Sequence, residues 1–135
     1  MFVDPVSNLP FGHKIQTPHW LVRKHVLPPI VIALENVWNK FLLSPLELRD
    51  FIDKVGSDYV GSYLDVGNVM YSGFPEQWIN ILGKRIVRVH LKDYKSSGFD
   101  GTVGAVDGFC DLMEGEINWP AVMAALRGVG YDSYL

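Results

Sequence analysis

The spacing of apolar residues changes from segment to segment along this chain, and the changes mark out alternating strands and helices. Ile30 to Leu34 is a short continuous apolar run, the pattern of a parallel strand buried on both faces, and it ends at Glu35. Ser44-Pro45-Leu46-Glu47 predicts a helix start: Ser44 to cap it, Pro45 at the first helical position and Glu47 to complete a capping box. Leu48, Phe51, Ile52 and Val55 follow at helical spacing, and Gly56 supplies the stop. Tyr59 to Asp65 predicts the next strand, closed by a carboxylate and the turn Val66-Gly67-Asn68. A second helix is expected from about Pro75, with Trp78, Ile79, Ile81 and Leu82 before Gly83. The stretch Ile86 to Asp93 then alternates, with Val87, Val89 and Leu91 on one face and Arg88, His90 and Lys92 on the other, the period of a strand. Asn118 predicts the cap of a third helix carrying Val122, Met123, Leu126 and Val129, and Tyr131 to Leu135 predicts the start of a fourth strand.

Two stretches show no such period. Residues 1–29 are broken by Pro5, Pro10, Pro18, Pro28 and Pro29 and are expected to form an irregular lead-in; their basic cluster, His13 to His25, reads as solvated surface. Tyr94 to Ile117 is a long connection rich in Gly and Asp, the kind that in compact domains serves function or stays loose. The domain is therefore expected over residues 30–135. Repeated strand–helix units imply an α/β fold with a parallel sheet and right-handed crossovers. An open doubly wound sheet and a (β/α) barrel both satisfy that order.

Composition narrows the partners. Of the 135 residues 48% are hydrophobic and 20% charged, as in a globular chain. A net charge of −3 gives no electrostatic support for a nucleic-acid partner. No apolar run approaches the roughly 20 residues of a membrane span, and the start MFVDPVSNLP lacks the basic and apolar regions of a signal peptide. Cys110 is the single cysteine, so an internal disulfide and a thiolate zinc cluster are both excluded. A soluble protein of a reducing, cytoplasmic compartment is expected.

Three successive predicted strands end in a potential metal ligand: Glu35, Asp65 and His90. In parallel α/β folds the C-terminal strand ends share one side, where sites assemble. Mixed carboxylate and imidazole ligation suits Mn, Co, Zn or Mg rather than a thiophilic ion. Each residue also has a structural role open to it. Glu35 could cap the next turn, Asp65 could make an Asx turn before Gly67, and His90 could be a satisfied interior histidine. Their recurrence at three consecutive strand ends favours the site.

The segments IALENVWNKF, YLDVGN, RVHLKDY and EGEINWPAVMAAL, in that order, resemble the xylose isomerase-like superfamily of TIM barrels, which includes sugar and sugar-phosphate epimerases and isomerases. The similarity covers about residues 31–135 and is specific to the superfamily, not to one substrate. It implies about half of a TIM barrel, strands five to eight, with Glu35, Asp65 and His90 as ligands of a catalytic divalent metal. The family's fourth ligand, a strand-eight glutamate, falls beyond Leu135, and its first four strands have no counterpart upstream. Asn68 stands where epimerases often carry a substrate-binding histidine.

The resemblance further implies proton transfer beside the carbonyl of a small sugar or sugar phosphate, through an enediolate, between two carboxylates. Glu35 would be one of them. Asn39, Asn68, Lys92 and Lys95 are candidates to hold substrate oxygens or a phosphate, and Trp38 and Trp119 to wall the pocket. A half site predicts weak or no activity for the chain alone, and open barrel edges predict a homodimer. The alternatives are a metal-dependent lyase or endonuclease-like member of the same superfamily, and a non-catalytic fragment or assembly module.

Overall fold

The computed structural model describes residues 30–95 and 108–135. The lead-in expected over 1–29 and the middle of the expected 94–117 connection lie outside the described residues. Three parallel strands, β1 (Ile32–Glu35), β2 (Val60–Asp65) and β3 (Ile86–His90), form a sheet in the order β1-β2-β3. Helix α1 (Pro45–Val55) connects β1 to β2, and a short helix α2 (Val66–Val69) and α3 (Pro75–Leu82) connect β2 to β3. Beyond β3, β4 (Asp93–Tyr94) pairs antiparallel with β5 (Phe109–Cys110), and α4 (Trp119–Gly128) follows.

The helices start where local chemistry satisfies their first N–H groups. Ser44 Oγ accepts from the Glu47 N–H at 3.2 Å while Glu47 Oε2 accepts from the Ser44 N–H at 3.1 Å, a complete capping box. Gly56, at φ 61°, closes α1 in the left-handed conformation that glycine adopts without steric cost. Asn118 Oδ1 caps α4 by accepting from the Ala121 N–H at 3.2 Å.

The core lies between the sheet and α1, α3 and α4. Leu48 and Ile52 enter it from α1, Trp78, Ile79 and Leu82 from α3, and Trp119, Val122, Ala125 and Leu126 from α4. Leu64, Ile86 and Val89 enter it from the strands. Each such side chain, fully buried, stabilises the fold by about 1.5–3 kcal/mol relative to its exposed state. Phe51 and Val55, expected with Leu48 on the apolar side of α1, are instead exposed at 37% and 44%. They fall off the Leu48–Ile52 line that faces α3 and β2.

Three further expectations are corrected. The apolar run 30–34 is not buried on both faces: Ile30 and Ile32 are exposed at 80% and 61%, because β1 is an edge strand among the described residues and pairs with β2 alone. The alternation in β3 is interrupted, since the pairing steps from Ser62↔Ile86 to Tyr63↔Arg88 and skips Val87. Ile86 and Val89 are therefore the β3 residues that reach the core, and Val87 stays half-buried. Residues 131–135 form no strand; Tyr131 returns its N–H to Leu126 O at 3.0 Å and its hydroxyl to Tyr134 O at 2.5 Å, which folds the segment back on itself. No helix among the described residues is long and apolar enough to cross a membrane.

Candidate metal centre

Side chains alternate along a strand, and parallel partners in register share a face. The pairs Glu35↔Tyr63, Tyr63↔Arg88 and Asp65↔His90 therefore place Glu35, Tyr63, Asp65, Arg88 and His90 on the face opposite Leu64 and Val89. That face is polar because helices cover the other one. At its C-terminal edge one ligand atom each from Glu35, Asp65 and His90 lies within 4.8 Å of the others.

His90 Nδ1 stands 3.3 Å from Asp65 Oδ2 and 3.7 Å from Glu35 Oε1. Metal–oxygen and metal–nitrogen bonds of about 2.0–2.2 Å put neighbouring ligand atoms about 3–3.5 Å apart, which the His90–Asp65 spacing already meets and the His90–Glu35 spacing nearly does. Asp65 is fully buried, whereas the His90 and Glu35 side chains are 41% and 35% exposed. The cluster thus has a buried anchor and an open side. Asp65 Oδ1 accepts from the Asn68 N–H at 2.9 Å, which caps α2, and Oδ2 lies 2.7 Å from Lys92 Nζ. A buried carboxylate is costly unless a cation offsets its charge.

One residue behind this arrangement has no mark in the sequence pattern. β1 ends two positions short of Asp65, and the buried Asn36 fills the gap. Its Oδ1 accepts from the Asp65 N–H at 2.8 Å and its Nδ2 donates to Asp65 O at 2.9 Å. The carboxamide thus replaces a strand residue and holds the Asp65 backbone. A single asparagine after a strand carries no signal of this; only knowing that β2 lies beside it does.

The other candidates divide. Lys92 Nζ lies 2.7 Å from Asp65 Oδ2, in direct charge contact with the cluster. Asn68 is beside it, but its Nδ2 donates to Asn36 O at 3.0 Å and its carbonyl accepts from Trp38 Nε1 at 2.9 Å. Asn39 is exposed, and its Oδ1 is engaged by the Phe41 N–H at 3.0 Å in a local turn. Lys95 is exposed, pairs its backbone N–H with Gly108 O at 2.7 Å, and makes no ion pair with the three ligands. Trp38 flanks the centre rather than lining it alone: it stacks on Phe109 at 5.5 Å and 18°, and packs on Tyr71 at 5.3 Å.

Trp119 packs in the hydrophobic core. It is buried, and its Nε1 donates to Asp93 Oδ2 at 2.8 Å. Asp93, also fully buried, accepts further from the N–H groups of Tyr94 at 2.9 Å, Met113 at 3.0 Å and Ile117 at 3.4 Å. Burial pushes its carboxyl up, but the Trp119 indole and the Tyr94, Gly115 and Ile117 amides outweigh burial and hold it below the usual carboxylate range. The knot ties the backbone just past Lys92 to the start of α4.

A family profile described as the xylose isomerase-like TIM barrel matches residues 23–135. Among curated proteins, the uncharacterized protein MJ1311 of Methanocaldococcus jannaschii is 29% identical over 112 residues, covering 78% of this chain and 36% of that protein. Among solved structures, a D-tagatose 3-epimerase-like protein is similar with a TM-score of 0.62 and 27% identity, over 77% of this chain and 38% of that one. A xylose isomerase domain protein from Planctomyces limnophilus shares the fold at a TM-score of 0.60 and 20% identity, over 76% and 37% of the respective chains. The chain thus spans little more than a third of the length of these relatives. With most of its length matched by the family profile, this α/β chain of parallel strands belongs to the xylose isomerase-like TIM barrel family.

Proposed function

We propose that the centre formed by Glu35, Asp65 and His90 binds a divalent metal, Mn, Co, Mg or Zn, and serves an isomerase or epimerase acting on a small sugar or sugar phosphate. The convergence of two carboxylates and an imidazole within 4.8 Å at three consecutive strand ends carries this reading. The likeness to a D-tagatose 3-epimerase-like protein supports it. A bound ion supplies Lewis-acid polarisation of a ketose carbonyl and its neighbouring hydroxyl. Asp65 anchors the centre from beneath. Glu35, half-exposed at its open side, would be the carboxylate that exchanges a proton on one face of the carbon next to the carbonyl, a second group acting on the other face. His90 would hold the ion, and Lys92 would offer a positive charge to substrate oxygens there.

The same reading sets an expectation for turnover. Epimerisation needs proton transfer on two faces of the substrate, and the cluster contains one exposed carboxylate among the described residues. A positioned proton-transfer group contributes about 10²–10⁴-fold. The chain with Mn²⁺ should therefore turn over tagatose, psicose or xylulose 5-phosphate at least ~100-fold more slowly than a full-length relative.

Calorimetric titration with MnCl₂ tests the centre. One site should appear in the unsubstituted chain and vanish in Asp65→Asn, while circular dichroism shows both folded. Equal binding by the two chains would refute the assignment.

A further inference from the structure

The cluster already contains a cation. Lys92 Nζ sits 2.7 Å from Asp65 Oδ2, the same oxygen that stands 3.3 Å from His90 Nδ1 and so faces the centre. The lysine does not reach this place by chance of a free surface side chain. Its stem rests on Gly67: a Cβ there would lie 2.7 Å from Lys92 Cβ and 3.1 Å from Lys92 O. Gly67 is thus the residue that permits the close approach. The Phe109 ring flanks the other side, with Nζ 5.3 Å from its centroid, and Phe109 is itself stacked on Trp38.

We propose that Lys92 is a resident competitor of the metal: its ammonium holds the buried Asp65 oxygen, and a divalent ion binds only by displacing it. This inference rests on the metal-centre reading above. An ion bridging Asp65 and His90 takes the oxygen the ammonium now contacts. With a metal–oxygen bond of about 2.1 Å, a lysine left in place would stand no more than about 5 Å from a doubly charged ion. At that separation the repulsion, partly screened by solvent on the open side, weakens ion binding roughly ten- to a hundredfold.

The benefit falls on the ion-free protein. Two carboxylates held together without a cation repel each other, and an unpaired buried one is costly. Lys92 neutralises Asp65 and keeps the ligands in place until the ion arrives. The Phe109 ring that already flanks the ammonium gives a displaced Lys92 a favourable contact beside the centre. From there it is placed to donate to a substrate oxygen, a second use of one charge.

Titrating the chain with MnCl₂ separates this role from simple structural support. Lys92→Met removes the charge and keeps the stem; it should bind Mn²⁺ ten- to a hundredfold more tightly while its ion-free melting temperature falls. Lys92→Arg keeps the charge and should stay within about threefold of the unsubstituted chain. Should Lys92→Met fail to fold, Lys92→Gln gives the same comparison, with tighter binding again expected. Binding by the uncharged variants that is equal to or weaker than that of the unsubstituted chain overturns the proposal and leaves the metal centre standing. Absence of Mn²⁺ binding in both the charged and uncharged folded chains overturns the metal centre and this inference together.

Discussion

Asp93→Asn isolates the anionic knot that fixes the backbone just past the Glu35–Asp65–His90 cluster. The carboxylate is fully buried and takes at least two donors on each oxygen: Tyr94 N and Ile117 N on Oδ1, Met113 N and Trp119 Nε1 on Oδ2. A carboxamide keeps one acceptor oxygen and turns an NH₂ toward the other pair of donors. Two hydrogen bonds to a charged acceptor are lost, each worth about 1.5–3 kcal/mol, so the substitution should cost about 3–6 kcal/mol. That is a large share of the roughly 5–15 kcal/mol by which a domain is stable. Urea unfolding followed by tryptophan fluorescence reads it directly. With a slope of about 2 kcal/mol/M for a small domain, the midpoint should fall by roughly 2 M. The acid limb gives an independent check. Because the folded carboxyl is held below its usual range, its stabilisation is complete above the unfolded value near ~3.9 and is lost as pH falls through the folded value. Asp93→Asn should remove that dependence. A midpoint within ~0.5 M of the unsubstituted chain, with the acid limb unchanged, would refute the reasoning.

Asn36→Ala should leave the N–H and C=O of the buried Asp65 without their partners, costing about 2–4 kcal/mol by urea unfolding and weakening Mn²⁺ binding, because Asp65 loses the support that aims it. Unchanged Mn²⁺ affinity would show that the ladder does not position the ligand. The outer edge of β1 has no strand partner among the described residues, and Ile30, Val31 and Ile32 are exposed at 80%, 45% and 61%. Such an edge invites pairing with a second copy. Sedimentation at micromolar concentration should find a dimer or larger species, and a clean monomer would argue against it.

What could be read from the chain alone is local in origin. Ser44, Glu47 and Gly56 bound α1, and Asn118 opens α4, because capping is a contact between residues three or four apart. Glu35, Asp65 and His90 were legible as a set because each closes a strand and parallel strands end on one side; their approach to within 4.8 Å follows from that topology. Strand pairing decided the rest. The skip at Val87 belongs to the register between β2 and β3, and no period within either strand contains it. Asn36 became part of the centre through Asp65, 29 residues away, by standing in for a strand residue that β1 lacks. Lys92 looked like a group for substrate oxygens, yet the ammonium meets Asp65 on the neighbouring strand. A charge settles on whichever buried partner the fold brings within reach, so the sequence determined which side chains close the three strands, and the tertiary structure decided that the Lys92 ammonium meets Asp65.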